Sequence, residues 1–165
     1  MGQREEPERT EDGRHIIVNG RRWRASDPHI PDPLRSELVS ELMRARRAVR
    51  RDGDAARHLV QDAKVALGER GTPWWETTPE SDLSERTMAA IRTMLRRRAE
   101  GTVCPSQIAR IVDGRGWRDR MDQVREVAWA MEAEGVIEVR QKGVRVDRGA
   151  RGPIRLGRGG EFPDA

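Results

Sequence analysis

Between residues 117 and 134, Arg118, Gln123 and Arg125 stand near the start of a helical apolar pattern. Arginine and glutamine are side chains that read base edges in a major groove. A second basic group surrounds a turn-forming Lys-Gly pair: Arg140, Gln141, Lys142 and Arg145. Cations at a hairpin tip suit a phosphate strand or a minor groove. Residues 140–158 hold seven basic side chains against Asp147 alone, a local charge of +6 that attracts polyanions. The stretch 117–134 has the opposite balance. Asp119, Asp122, Glu126, Glu132 and Glu134 give it a net charge of −2. Asp119, Asp122 and Glu126 are spaced three and four apart and so share one face, and carboxylates close to phosphates cost affinity. DNA binding is therefore the first expectation, and a protein partner on the acidic face is the alternative.

Other side chains hint at different chemistry. Cys104 is the only cysteine and precedes Pro105 at a helix start, where a thiol is acidified. No histidine lies near it in sequence, so packing or capping is the expected role, and binding is expected rather than catalysis. His29 with Asp27 and Asp32 is too sparse a set to imply a metal, and no cofactor is expected. Trp74 and Trp75 are adjacent in a proline-containing segment, where they either dock on a flanking element or meet a partner. Arg44, Arg46, Arg47, Arg50 and Arg51 form a basic cluster at one helix end. That position suits the helix dipole as well as it suits an anionic partner.

The elements that position these groups follow from punctuation. The chain has 165 residues with 36% charged and 35% hydrophobic side chains, so each core must be small. Residues 1–13 contain Met1 as their only apolar side chain and are expected to be a disordered leader. Asn19-Gly20 between Ile16-Ile17-Val18 and Arg21-Arg22-Trp23 predicts a β-hairpin. After the Pro-rich 27–33, with Asp32 as the expected cap, two apolar stripes predict helices over 34–51 and 54–67. Residues 77–82 are the expected linker between a first module, 14–76, and a second, 83–157, followed by a flexible tail, 158–165. No apolar run approaches the ~20 residues needed to cross a bilayer. The N-terminus has no signal-peptide core, so a cytoplasmic location is expected.

In the second module the order is helix (83–99), short helix (PSQIARIV), long helix (117–134), Glu-Gly, then strands at 136–139, 144–146 and 154–156. Three helices closed by a hairpin predict a winged helix-turn-helix. The chain as a whole should be mainly α with short β-hairpins. The stretches CPSQIAR (104–110), WRDRMDQVREVAWAMEAEG (117–135), QKGVRVD (141–147) and GPIRL (152–156) resemble a bacterial domain-of-unknown-function family predicted to be winged-helix. The resemblance implies that fold but no activity. Its recurrent polar positions fall on Ser106, Arg110, Arg118, Arg125, Gln141, Lys142 and Arg155. The first module, through IIVNGRRWRASDPHIPDPLRSELVSELMRARRAV, is similar to small bacterial proteins sometimes labelled as Tol-type biopolymer transport proteins.

Overall fold

The computed structural model describes residues 5–163. It is mainly helical, with two small antiparallel sheets. Strands β1 (Glu8–Arg9), β2 (His15–Val18) and β3 (Arg21–Arg24) form the first sheet. Asn19 and Gly20 take φ of 51° and 73°, the left-handed pair that a tight two-residue hairpin requires. Residues 8–13 thus differ from the expected disordered leader, because Glu8 and Arg9 pair with Ile17 and Ile16 at the open edge of β2. Backbone pairing there needs no apolar side chain. Residues 1–4 of that leader lie outside the described residues.

Helices α1 (Asp32–Asp52) and α2 (Arg57–Ala66) make a hairpin through a short 3-10 turn at Gly53–Ala56. Asp32 does not cap α1. Pro31 flanks the helix and Asp32 takes its first position, with no side-chain cap bond. Its charge still lies in the first turn, where the helix dipole favours it. Helices α3 (Glu80–Arg97), α4 (Pro105–Val112) and α5 (Met121–Ala133) follow. The second sheet contains β4 (Ile137–Gln141), β5 (Val144–Arg145) and β6 (Arg155–Arg158) in the order β5-β4-β6. Val103, between α3 and α4, bridges Leu156 of β6. No helix among the described residues is long and apolar enough to cross a membrane.

The two expected modules share one core. Leu34, Leu38 and Leu42 of α1 and Ala63 and Ala66 of α2 pack in the same cluster as Ile91, Met94, Ile108, Val124, Val139 and Leu156. Helix α3 makes this possible because it is buried on more than one face. Ala89, Ala90 and Thr93 are buried as well as Leu83, Thr87, Ile91, Met94 and Leu95. The expected linker is mostly exposed but short, since α3 already begins at Glu80. The expected flexible tail is also tied down as far as it is described. Phe162 packs on the core beneath Arg96 and Arg158, and Arg96 donates to the Pro163 carbonyl. Residues 164–165 lie outside the described residues.

Arginines of α3, with Arg98 just after it, join the halves through buried and half-buried ion pairs. Arg86 donates to Asp27 at 3.0 Å, Arg92 and Arg96 grip Asp62 at 2.8 and 2.6 Å, and Arg98 meets Glu37 at 2.7 Å. Burial alone would raise the Asp62 carboxyl, but hydrogen bonds from Arg92 and Arg96 outweigh it and hold the group below the usual carboxylate range. The hydrogen bond from Arg98 lowers Glu37 likewise.

A separate contact fastens the α4–α5 turn to the first half. A Cβ at Gly114 would lie 2.0 Å from the His29 carbonyl oxygen. The neighbour is backbone and must move if a side chain is added.

Two stability predictions follow from these contacts. Gly114→Ala is expected to lower stability by at least ~2 kcal/mol through overpacking, read as a lower denaturant midpoint at unchanged slope. Asp62→Asn leaves two guanidiniums without their carboxylate and is expected to cost ~3 kcal/mol at neutral pH. Asp62 has a lowered folded pKa, so its contribution is complete above the unfolded value and is lost as pH falls through the folded one. The acid limb of a stability–pH curve should therefore be shallower in Asp62→Asn than in the parent chain.

Candidate nucleic-acid interface

The site is built from α4, the turn after it, α5 and the β4–β6 loop. Cys104 flanks α4 and its backbone N–H donates to Gln107 Oε1 at 3.1 Å, which ties the helix start. The Cys104 Sγ lies 3.1 Å from Ser106 Oγ. These contacts give the cysteine a role in the helix entry. After α4, Asp113 closes the turn. Its Oδ1 accepts from the Gly116 N–H at 2.9 Å and its Oδ2 from Arg120 Nε at 3.2 Å. Residues Trp117–Arg120 form a 3-10 turn that leads into α5. The predicted third helix therefore starts as a tighter turn, with Arg118 and Asp119 exposed and Trp117 and Arg120 partly buried.

Four arginines gather at this corner. The Arg110 and Arg118 guanidiniums both lie over the Trp117 ring, 4.4 and 4.5 Å from its centroid. Stacking on an aromatic face orders a guanidinium while leaving its edge N–H groups free to bond. Arg115 is exposed and makes no ion pair among the described residues, and Arg120 is partly exposed beside Asp113. The site therefore has more positive charge at the entrance to α5 than along its length.

The expected contact residues divide sharply. Arg118 is exposed at the corner, and Lys142 stands at the hairpin tip with φ of 51° and no ion pair among the described residues. Gln123 does not face solvent as a base reader would. Its Oε1 accepts from the buried Thr87 hydroxyl at 3.3 Å, and its Nε2 is buried without a partner. Its place on the inner side of α5, one residue before buried Val124, explains this. Arg125 reaches the Gly152 carbonyl at 3.4 Å and Gln141 donates to the Arg151 carbonyl at 2.6 Å, so both hold the long loop between β5 and β6. Arg140 pairs with Glu138 at 3.0 Å. Arg145 and Arg148 fold back onto α5 and meet Glu132 and Glu126 at 3.3 and 2.6 Å. Thus two acidic groups of α5 are paired from β5 and the loop after it, while Asp119 and Asp122 stay exposed without ion pairs among the described residues. Arg155 is tied to Thr102.

Sequence reasoning did not single out Arg115 for the site. The signal was its place between Gly114 and Gly116, where flanking residues without side chains leave a cation uncovered.

Trp74 and Trp75 dock within the chain. The Trp74 indole N–H donates to the Ala25 carbonyl at 3.0 Å, and its ring meets His29 and Trp75 edge-on. Trp75 touches His15 and lies beneath Arg14 at 5.0 Å. Both are half-buried staples between the first sheet and the helices. No three His, Cys, Asp or Glu side chains come together as a metal site among the described residues. Asp27 is engaged by His29 and Arg86, while Asp32 lies exposed at the start of α1.

The Arg145 and Arg148 pairs are solvent-exposed. Replacing both arginines by glutamine is expected to change stability by less than ~1 kcal/mol, as measured by urea unfolding. A larger loss would show that these pairs hold the loop in place.

No curated protein matches this chain. Residues 84–159, from early α3 to just past β6, match the model of a family described as protein of unknown function (DUF3253).

Proposed function

We propose that residues 83–158 work as a winged helix-turn-helix that binds duplex DNA, in a cytoplasmic protein that binds rather than catalyses. The order α3, Val103 strand residue, α4, α5, β4, long loop, β6 supports the fold reading. So does the antiparallel pairing of β6 with both β4 and Val103. In such a fold, the third helix enters the major groove by its N-terminal end while the hairpin tip follows the backbone.

The observation that carries the reading is the corner of Arg110, Arg115, Arg118 and Arg120 around Trp117. These cations precede α5 proper and so lie ahead of Asp122, Glu126 and Glu132, with Asp119 the one carboxylate that shares their turn. Glu126 and Glu132 are already countered by Arg148 and Arg145, which lessens the repulsion that the composition of α5 implies.

A second reading rests on exposed Asp119 and Asp122, which suit a basic protein partner. Asp119→Lys with Asp122→Lys should abolish such an interaction and strengthen DNA binding, which separates the two.

The direct test is duplex affinity against salt. Log affinity should fall linearly with log salt concentration, and replacing Arg110, Arg115 and Arg118 by glutamine should flatten the slope by up to about 0.9 per arginine. Absence of binding to any duplex at low salt defeats the proposal.

A further inference from the structure

A cleft of about 300 Å³ lies where the loop after β3, the loop before α3 and the α4–α5 turn converge. Its polar groups are only partly satisfied by one another. Asp27 is 4% exposed and fully engaged. Its Oδ1 accepts from the His29 backbone N–H at 2.9 Å and lies 3.0 Å from His29 Nδ1, while its Oδ2 accepts from Arg86. A carboxylate only accepts, so Nδ1 carries the proton and Nε2 is left for something else.

Arg86 is the unusual member. Its side chain is only 10% exposed. Its Nε and Nη2 donate to Asp27 and to the carbonyls of Ala66 and Ile111. Its Nη1 makes no hydrogen bond among the described residues. Burial pushes this guanidinium below its ordinary value, and Asp27 offsets that only in part. That nitrogen is not among the fully buried polar atoms, so it is accessible and can offer charge-assisted bonds to an oxyanion. Arg86 also lines a neighbouring cavity toward Arg70, but there Asp82 and Glu85 would repel an anion.

The rim repeats the preference. Arg115 is unpaired, and Arg120 uses only Nε on Asp113, leaving both Nη groups open. Asp113 is already held by Arg120 and the Gly116 N–H. Glu76 is the one lining carboxylate without a cation.

We propose that this cleft binds a small oxyanion, a carboxylate or a phosphate monoester, with Arg86 at its floor and Arg115 and Arg120 at its rim. Arg86 supplies the buried bond and the rim arginines supply attraction and orientation. His29 Nε2 and the Thr77 and Thr78 hydroxyls remain for the rest of the ligand. The volume suits a metabolite near the small end of ligand sites. The proposal does not rest on DNA binding and is tested without DNA.

The experiment titrates the full ¹⁵N-labelled chain with inorganic phosphate, and separately with acetate, at constant ionic strength set by chloride. Saturable shifts of the Trp74 indole N–H and the Gly114 amide are expected. Arg115→Gln with Arg120→Gln should weaken the affinity by about tenfold or more, because two charge-assisted bonds are lost. Tighter binding of phosphate assigns a phosphoryl ligand, and tighter binding of acetate assigns a carboxylate. Glu76→Lys leaves every described ion pair intact and should tighten binding, which provides a test even if the double variant loses its native spectrum. Shifts that only drift linearly with both anions, or saturable shifts unaffected by these substitutions, overturn the proposal.

Discussion

The structure depends on the grip of α3 arginines on carboxylates of the first half. Arg86, Arg92, Arg96 and Arg98 reach Asp27, Asp62 and Glu37 across a helix that is itself buried on several faces. Arginine suits this work, since it stays charged and offers several N–H groups in one plane. Arg86, Arg96 and Arg98 also donate to backbone carbonyls, and Arg92 holds both oxygens of Asp62. Buried pairs of this kind contribute little net energy compared with an apolar core. Their larger effect is on geometry, because they tie α1, α2 and the loop after β3 to α3 at separate points.

That docking was the part least legible in the sequence. The local features were readable. Asn19-Gly20 forms the predicted turn, and Lys142-Gly143 takes the same left-handed pair of conformations. The helices appear in the predicted order, with boundaries shifted by a few residues. The shared core was not readable, because alanines such as Ala89 and Ala90 carry little hydrophobic signal yet permit close helix packing. Asp27 and Arg86 are separated by 59 residues, and a charge-rich sequence offers many such pairs. The site was half legible for the same reason. Arg118 and Lys142 face outward as their positions imply, but Gln123 turns inward and Arg145 is taken up by Glu132. Helical periodicity identifies a face, whereas cross-element partners decide which cations stay free.

The loop between β5 and β6 alters the meaning of the charge count. Its arginines and the neighbouring Arg145 of β5 raise the positive charge of the region, yet Arg145 and Arg148 answer carboxylates on α5. The field at the surface is therefore smoother than composition implies. What remains concentrated is the corner at Trp117, where two stacked guanidiniums stand beside Arg115 and Arg120. Cations that are both unpaired and ordered lose less entropy on meeting an anion than mobile side chains do.

The close approach of Gly114 to the His29 carbonyl has an evolutionary consequence. The matched family segment begins inside α3 and so excludes the half that presses on this glycine. A chain carrying both halves is constrained to a residue without a side chain there. A chain lacking the first half is released from that constraint. The need for glycine at this turn is thus set from outside the turn, by the backbone of the first half.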